Sequence, residues 1–242
     1  HPATRFNIDR DYGALGHSRR ADIVMLDDNL NVINTWFGGE LVVENKKITS
    51  LLDEQLSYKR YKYPKEAYKT VKLPKNINFI PKIPKHNKFQ INVIKTELPG
   101  IMTFREKIKI NKTFSSWDKI LQKYNLCHLC VIERHGINGE FSHGFLQNFN
   151  LKYGAVASSV GHDAHNIIVA GNNENDMRYA TQLIENYQGG VVIVNNGKLV
   201  SSLKLPIAGL LSDKKANEVA KENKIFKNYW SKAGCSLPYM GF

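Results

Sequence analysis

Asn196-Gly197 sits inside the stretch VVIVNNGKLVSSLKL, and no other feature of this chain narrows its fold as far. Asn followed by Gly offers two successive residues that tolerate positive φ, as a two-residue turn between right-twisted strands demands. Residues 191–205 are therefore expected to form an antiparallel hairpin. Just before it, NENDMRYATQLIENYQ (173–188) places Met177, Ala180, Ile184 and Tyr187 at helical spacing. Acidic residues fill its first turn and Gly189-Gly190 follow its end, the pattern of a helix start and stop. After the hairpin, Ser212 is expected to cap a second helix in which Ala216, Val219, Ala220, Phe226 and Trp230 recur on one face until Gly234.

Strands dominate earlier. RADIVMLD (20–27) is a short apolar strand, and VINTWFGGELVVENKKI (32–48) is a hairpin around Gly38-Gly39. INVIKTEL (91–98) and IMTFREKIKI (101–110) flank Pro99-Gly100, and the second alternates apolar and charged residues as a half-solvated strand does. Strands, helix, hairpin and helix in that order describe an α+β domain with a mixed sheet and packed helices. Between the two strand-rich parts, Pro64, Pro74, Pro81 and Pro84 interrupt a lysine-rich stretch. Residues 55–88 are therefore expected to be a linker or extended excursion, separating residues 1–54 from a C-terminal domain over 89–242. No internal repeat of roughly 20 to 50 residues is visible.

The 242 residues, 42% of them hydrophobic, suffice for one large core or two modest ones. No apolar run approaches the roughly 20 residues of a membrane span, and the start HPATRF carries no signal-peptide segment. That start, without an initiator methionine, is expected of a piece of a longer chain. Three cysteines are too few for a disulfide scaffold and favour a reducing cytoplasm. The net charge of +12 is concentrated where lysines interleave with tyrosines and prolines, over 59–88, yet lysine and asparagine are abundant throughout. Without a recognition motif such charge is a weak footprint, so no nucleic-acid partner is expected.

Three stretches carry candidate chemistry. Cys127-His128-Leu129-Cys130 has the spacing of half a zinc site, but Cys235 supplies no second pair. Zinc nucleobase deaminases also carry a His-x-Glu and a Pro-Cys-x-x-Cys, and neither is present. YNLCHLCVIERH is strongly apolar, so buried free thiols are expected and a metal role is rejected. At its end Glu133, Arg134 and His135 precede Gly136: an acid, a cation and a base that suit either a pocket or a salt-bridged surface turn. Finally, VGHDAHNIIVAG (160–171) sets His162, Asp163, His165 and Asn166 between two β-rich apolar runs. A polar loop is expected there, and imidazoles beside a carboxylate suit proton transfer near neutral pH, metal binding or an ordinary turn.

IERHG (132–136), YGAVASSVGHDAHNIIVAGNNENDM (153–177) and GGVVIVNNGKLVSSLKLPIAGLLSD (189–213) together resemble the C-terminal domain of bacterial adenine deaminases. Residues 2–24, with Pro2-Ala3, Phe6, Gly13, Gly16 and Arg20-Ala21-Asp22-Ile23-Val24, resemble that family's preceding segment, which follows the last barrel strand of the amidohydrolase superfamily and leads into a small β-sandwich. The resemblance implies that residues 1–54 are the end of a TIM-like barrel plus sandwich strands. It implies an enzyme that hydrolyses adenine to hypoxanthine and ammonia, with a divalent metal, manganese or iron, activating water on the barrel. The family's His-x-His ligand pair is absent from this sequence. The chain is thus expected to be the C-terminal portion of such an enzyme, to bind no metal itself, and to be inactive without the barrel. A homo-oligomer acting on adenine is implied, and a non-catalytic remnant or binding module of the same fold stays open. Glu133, His135, His162, Asp163, His165 and Asn166 are the expected pocket or lid residues, because barrel sites lie at a loop-bearing mouth that an appended domain can cover.

Overall fold

The computed structural model describes residues 2–58, 62–97, 102–111, 114–235 and 237. They divide into two compact units, 1–62 and 63–242. In the first, helix α1 (Pro2–Arg5) precedes a four-stranded antiparallel sheet of β1 (Ile23–Leu26), β2 (Val32–Phe37), β3 (Glu40–Glu44) and β4 (Lys47–Ile48) in chain order. Gly38 and Gly39 turn β2 into β3 as expected. The Asp22 carboxylate clamps that turn: it accepts from the Gly38 N–H at 2.7 Å and from Arg20 Nε at 2.9 Å. Those contacts, the Arg20 bond first, hold Asp22 below the ordinary aspartate range. Helix α2 (Ser50–Tyr58) closes the unit.

The second unit is built on an eight-stranded sheet with the order β12-β11-β9-β10-β7-β8-β5-β6. Its strands are β5 (Phe89–Thr96), β6 (Thr103–Ile110), β7 (Leu126–Ile132), β8 (Phe141–Gln147), β9 (Ala155–Ser158), β10 (Ile167–Gly171), β11 (Gly190–Asn195) and β12 (Lys198–Lys204). Every pairing is antiparallel except β5 with β8, so the sheet is mixed, as the order of elements required. β11 and β12 meet at Asn196 and Gly197 with φ of 50° and 69°, the conformation inferred for that turn. Pro99-Gly100 lies outside the described residues.

Helices cover both faces. α4 (Glu174–Tyr187) sets Met177, Ala180, Leu183 and Ile184 against Cys130, Ile132, Ala157, Ile167, Val169 and Val192. Its N-cap is Asn173, whose side chain accepts from the Asp176 N–H at 2.8 Å. α5 (Ala216–Lys232) packs Phe226 and Trp230 on the opposite face, against Cys127, Leu129, Val156, Ile168 and Ile193. Ser212 does not cap it. Its hydroxyl accepts from the Lys214 N–H at 3.2 Å, closing a local turn, and the helix starts later with Lys215 as an N-cap that makes no side-chain bond. Ala216 and Ala220 are accordingly exposed, and only the C-terminal half of α5 meets the core. A short helix that the apolar periodicity did not announce, α3 (Asp118–Tyr124), packs Ile120 and Leu121 with Trp117 against Ile91, Val93, Leu126 and Phe145.

Within the proline-rich stretch, α2 runs to Tyr58 and the residues from Tyr63 onward belong to the second unit. Val71, Ile77 and Phe79 are buried in the α4-side cluster, and Trp117 Nε1 donates to the Pro81 carbonyl at 2.7 Å. Residues 65–80 thus run as a strap over the sheet, anchored by apolar side chains between exposed lysines. No helix among the described residues is long and apolar enough to cross a membrane.

Strand β7 shows why the cysteine spacing makes no metal site. Side chains alternate across a sheet, so residues three apart point to opposite faces. Cys127 and Cys235 join the α5-side cluster and Cys130 the α4-side one, all as buried free thiols. Burial pushes the Cys130 and Cys235 thiols up to about 12, which keeps them protonated and inert. His128, between Cys127 and Cys130, is 1% exposed, with Trp117 edge-on at 6.0 Å and Phe145 at 5.4 Å. Its Nδ1 has no hydrogen-bond partner among the described residues.

Burial depresses the His128 pKa from 6.5 to about 4, with Asp118 opposing the shift and His143 adding to it. Between those two values the unfolded chain binds a proton that the folded chain does not. Stability therefore falls as pH drops through this window, by roughly 3 kcal/mol in all, and this group adds nothing further below it. His128→Phe, which keeps the aromatic packing, should flatten the fall in urea midpoint between neutrality and pH about 4. Equal acid sensitivity in both proteins would show that another group carries it.

Candidate functional site

The polar loop 159–166 is the connection between β9 and β10, which pair from Ser158 with Ile168 to Ala155 with Gly171. AVAS and IIVAG are buried on both faces, so the sheet needs no help from the residues between them. His162 and Asp163 are exposed, and His165 and Asn166 are half-buried. Asp163 and His165 adopt left-handed backbone, with φ of 71° and 51°. Asp and His tolerate that region better than most residues, but two in one short loop need outside restraint.

The restraint comes from the end of β7. Ile132 pairs with Ile167, so residues 133–135 leave the sheet beside the incoming loop. Along β7 the side chains of Leu126, His128, Cys130 and Ile132 share one face, and Arg134 continues that phase inward. It is 2% exposed. Its Nε donates to the His165 carbonyl at 2.5 Å, and its Nη2 to the Ala208 carbonyl at 3.0 Å. Its Nη1 donates to the Thr70 carbonyl at 3.2 Å and to Thr70 Oγ1 at 3.1 Å. Burial pushes its pKa down, but a guanidinium starts so high that it stays charged. This is no salt-bridged surface turn: the ion pairs among the described residues do not include Arg134 or Glu133.

The PIAGL stretch (206–210) closes over the guanidinium. Gly209 has φ of 72°, and a Cβ added there would stand 2.7 Å from Arg134 Nη1. Only glycine provides both the backbone conformation and the close approach. Ser159, at the start of the polar loop, donates from Oγ to the Gly209 carbonyl at 2.5 Å and accepts from the Gly190 N–H at 2.8 Å. The strap joins here too, with the Lys72 N–H donating to the Arg134 carbonyl at 2.8 Å and the Ala208 N–H to the Ala67 carbonyl at 2.6 Å. The end of β7 and three further segments far apart in sequence meet at this end of the sheet.

The six residues singled out from sequence divide by role in this geometry. Burial raises the Glu133 pKa and backbone donors outweigh that, leaving it below the ordinary glutamate range. The donors are the N–H groups of His135, of Ile137 at 3.1 Å and of Gly139 at 3.2 Å, so the carboxylate closes its own turn. His135 is exposed and its Nε2 lies 3.1 Å from the Ala164 carbonyl, which brings it to the polar loop. His165 gives its carbonyl to Arg134, while its buried Nδ1 has no partner among the described residues. His162 and Asp163 are displayed to solvent, with Asn166 at the loop's base. Arg134, Ser159, Gly209 and Thr70 did not stand out in the sequence; strand phase alone could have marked Arg134 as inward-facing.

Among the described residues no three His, Cys, Asp or Glu side chains converge as a metal ion would require. The donors among the described residues do not fit the divalent ion that the family resemblance implies.

Known proteins extend these observations. Residues 101–241 match the family model of the adenine deaminase C-terminal domain. The whole chain is 55% identical to an adenine deaminase of Chelativorans sp. (strain BNC1), of which it covers 40%. An adenine deaminase of Desulforamulus reducens is 34% identical over 98% of the chain, and one of Methanococcoides burtonii 30% identical over 98%. The chain thus spans about two fifths of the length of the curated relatives it matches. With more than half of its residues inside the matched domain, the chain belongs to the adenine deaminase C-terminal domain family.

Proposed function

We propose that this chain is the C-terminal part of an adenine deaminase, in which loop 160–166 and His135 form part of the substrate pocket or its lid. The observation that carries the reading is the meeting of ERHG, GHDAHN and PIAGL around one buried guanidinium. Such a rigid frame is where displayed loop groups serve binding or catalysis. In this reading His162 and Asp163 orient a purine nitrogen or pass a proton, His135 and Asn166 line the same edge, and Glu133 and His165 keep it in shape. Water activation by a divalent metal, manganese or iron, belongs to the part of such an enzyme outside these 242 residues. Residues 1–54 are proposed as barrel end and sandwich strands, and the enzyme as a cytoplasmic homo-oligomer. The excess of lysine is proposed to be solvated surface rather than a nucleic-acid footprint.

In the full-length enzyme, His162→Ala or Asp163→Ala should lower adenine turnover per folded molecule by about a hundredfold or more, the usual scale for a lost proton-transfer group. Melting temperature should stay near that of the parent, because neither side chain is buried. A lower melting temperature with unchanged turnover would make the loop scaffold only.

The purified 242-residue chain should release no ammonia from adenine, with or without added manganese. Metal-dependent turnover by this chain would place the catalytic centre within it and overturn the division of labour.

A further inference from the structure

A buried cation normally faces a carboxylate, because an unpaired charge out of water is expensive. Arg134 faces none of the acids in the ion pairs of this structure and is instead spent on backbone carbonyls of three separate segments. The guanidinium fork suits such bridging, since its donors leave in fixed directions within one plane, which an ammonium cannot imitate. Backbone carbonyls as acceptors mean that what the arginine reads is chain conformation rather than side-chain identity. One of the three, that of His165, belongs to a left-handed residue of the polar loop. Another, that of Ala208, belongs to a second left-handed residue, with φ of 54°, next to Gly209. The third lies on the strap, whose Lys72 N–H returns a bond to the carbonyl of Arg134 itself. Ser159 closes the circuit between the polar loop and Gly209 without the arginine.

We propose that Arg134 is a positioning residue that sets the conformation of loop 160–166 and locks it to turn 206–210 and strap 67–72, so that the three segments hold or open as one unit. Its effect on turnover rests on the deaminase reading above; the coupling itself does not. Arg134 touches no reacting atom. It acts through the loop that displays His162 and Asp163, and through Ala164 and His165, whose carbonyls are held by His135 and Arg134 respectively.

The test is residue-resolved hydrogen exchange on the 242-residue chain and on Arg134→Lys, which keeps the charge and loses the fork. The amides of Val160, Lys72 and Ala208 are bonded to Ser158 Oγ, the Arg134 carbonyl and the Ala67 carbonyl, one in each segment. In Arg134→Lys their exchange should accelerate together, by about tenfold or more, as loss of a charge-assisted hydrogen bond allows. Val169 and Val192, in β10 and β11, should keep parental protection. Unchanged exchange at the three amides would overturn the proposal, as would equal acceleration of core and loops, the mark of general destabilisation. If Arg134→Lys fails to fold, Thr70→Val removes one acceptor on the strap. Faster exchange at Val160 and Ala208, which Thr70 does not bond, would then support coupling through the guanidinium, and parental exchange there would overturn it. In the full-length enzyme, Arg134→Lys should also lower adenine turnover per folded molecule. A parent enzyme without adenine turnover would sink the deaminase reading while the exchange result still decides the coupling.

Discussion

Strand β10 is buried on both faces, and the second unit is arranged around that requirement. Ile167 and Val169 enter the cluster under α4, and Ile168 and Ala170 the cluster under α5. A strand with two apolar faces demands a layer on each side, and burying each Ile or Val side chain contributes roughly 1.5 to 3 kcal/mol. The amphipathic helix before the Asn-Gly hairpin supplies one layer and the C-terminal helix the other. β9 and β7 flank β10, so the ends of its neighbours are fixed within a strand spacing of each other. The polar loop between β9 and β10 is therefore suspended from rigid supports and contributes little to holding them.

At the edge of that core the logic changes from apolar burial to a single buried charge. Arg134 leaves β7 in the inward phase and would be costly there if its donors were unmet. The carbonyls of Thr70, His165 and Ala208 meet them, and Gly209 leaves space for the guanidinium to approach. This gives the adenine deaminase stretches ERHG, GHDAHN and PIAGL a common physical reason to occur in one chain. Each supplies a part that the others need: the cation, the loop that it holds, and the glycine beneath it. His162 and Asp163 are left as the displayed groups because the restraining bonds come from the His165 and Ala164 carbonyls and the Ser159 hydroxyl.

Departures from the expected elements have local causes. A serine before a helical pattern signals a cap, but Ser212 bonds the amide two residues on, which competes with the helix for that donor. α5 then begins after the turn with two alanines facing water. Prolines and lysines between 64 and 85 allow only one turn of 3-10 helix, Lys65–Tyr68, yet the apolar residues among them, Val71, Ile77 and Phe79, are what the α4 face was missing. Irregular backbone and firm packing are compatible when a few side chains act as anchors.

By itself the sequence determined the elements that depend on near neighbours along the chain. The Asn196-Gly197 hairpin, α4 with its glycine stop, the two apolar strands around GHDAHN and the inert cysteines of β7 all follow from turn chemistry and from periods of 3.6 and 2. The exposure of His162 and Asp163 follows from the same pattern. Tertiary structure alone decided what Arg134, Ser159 and Gly209 do. Arg134 joins residues separated by 31, 64 and 74 positions, and no local preference encodes which carbonyls a buried guanidinium will find. Those partners are chosen by the sheet order, which brings distant segments to the edge where the guanidinium emerges.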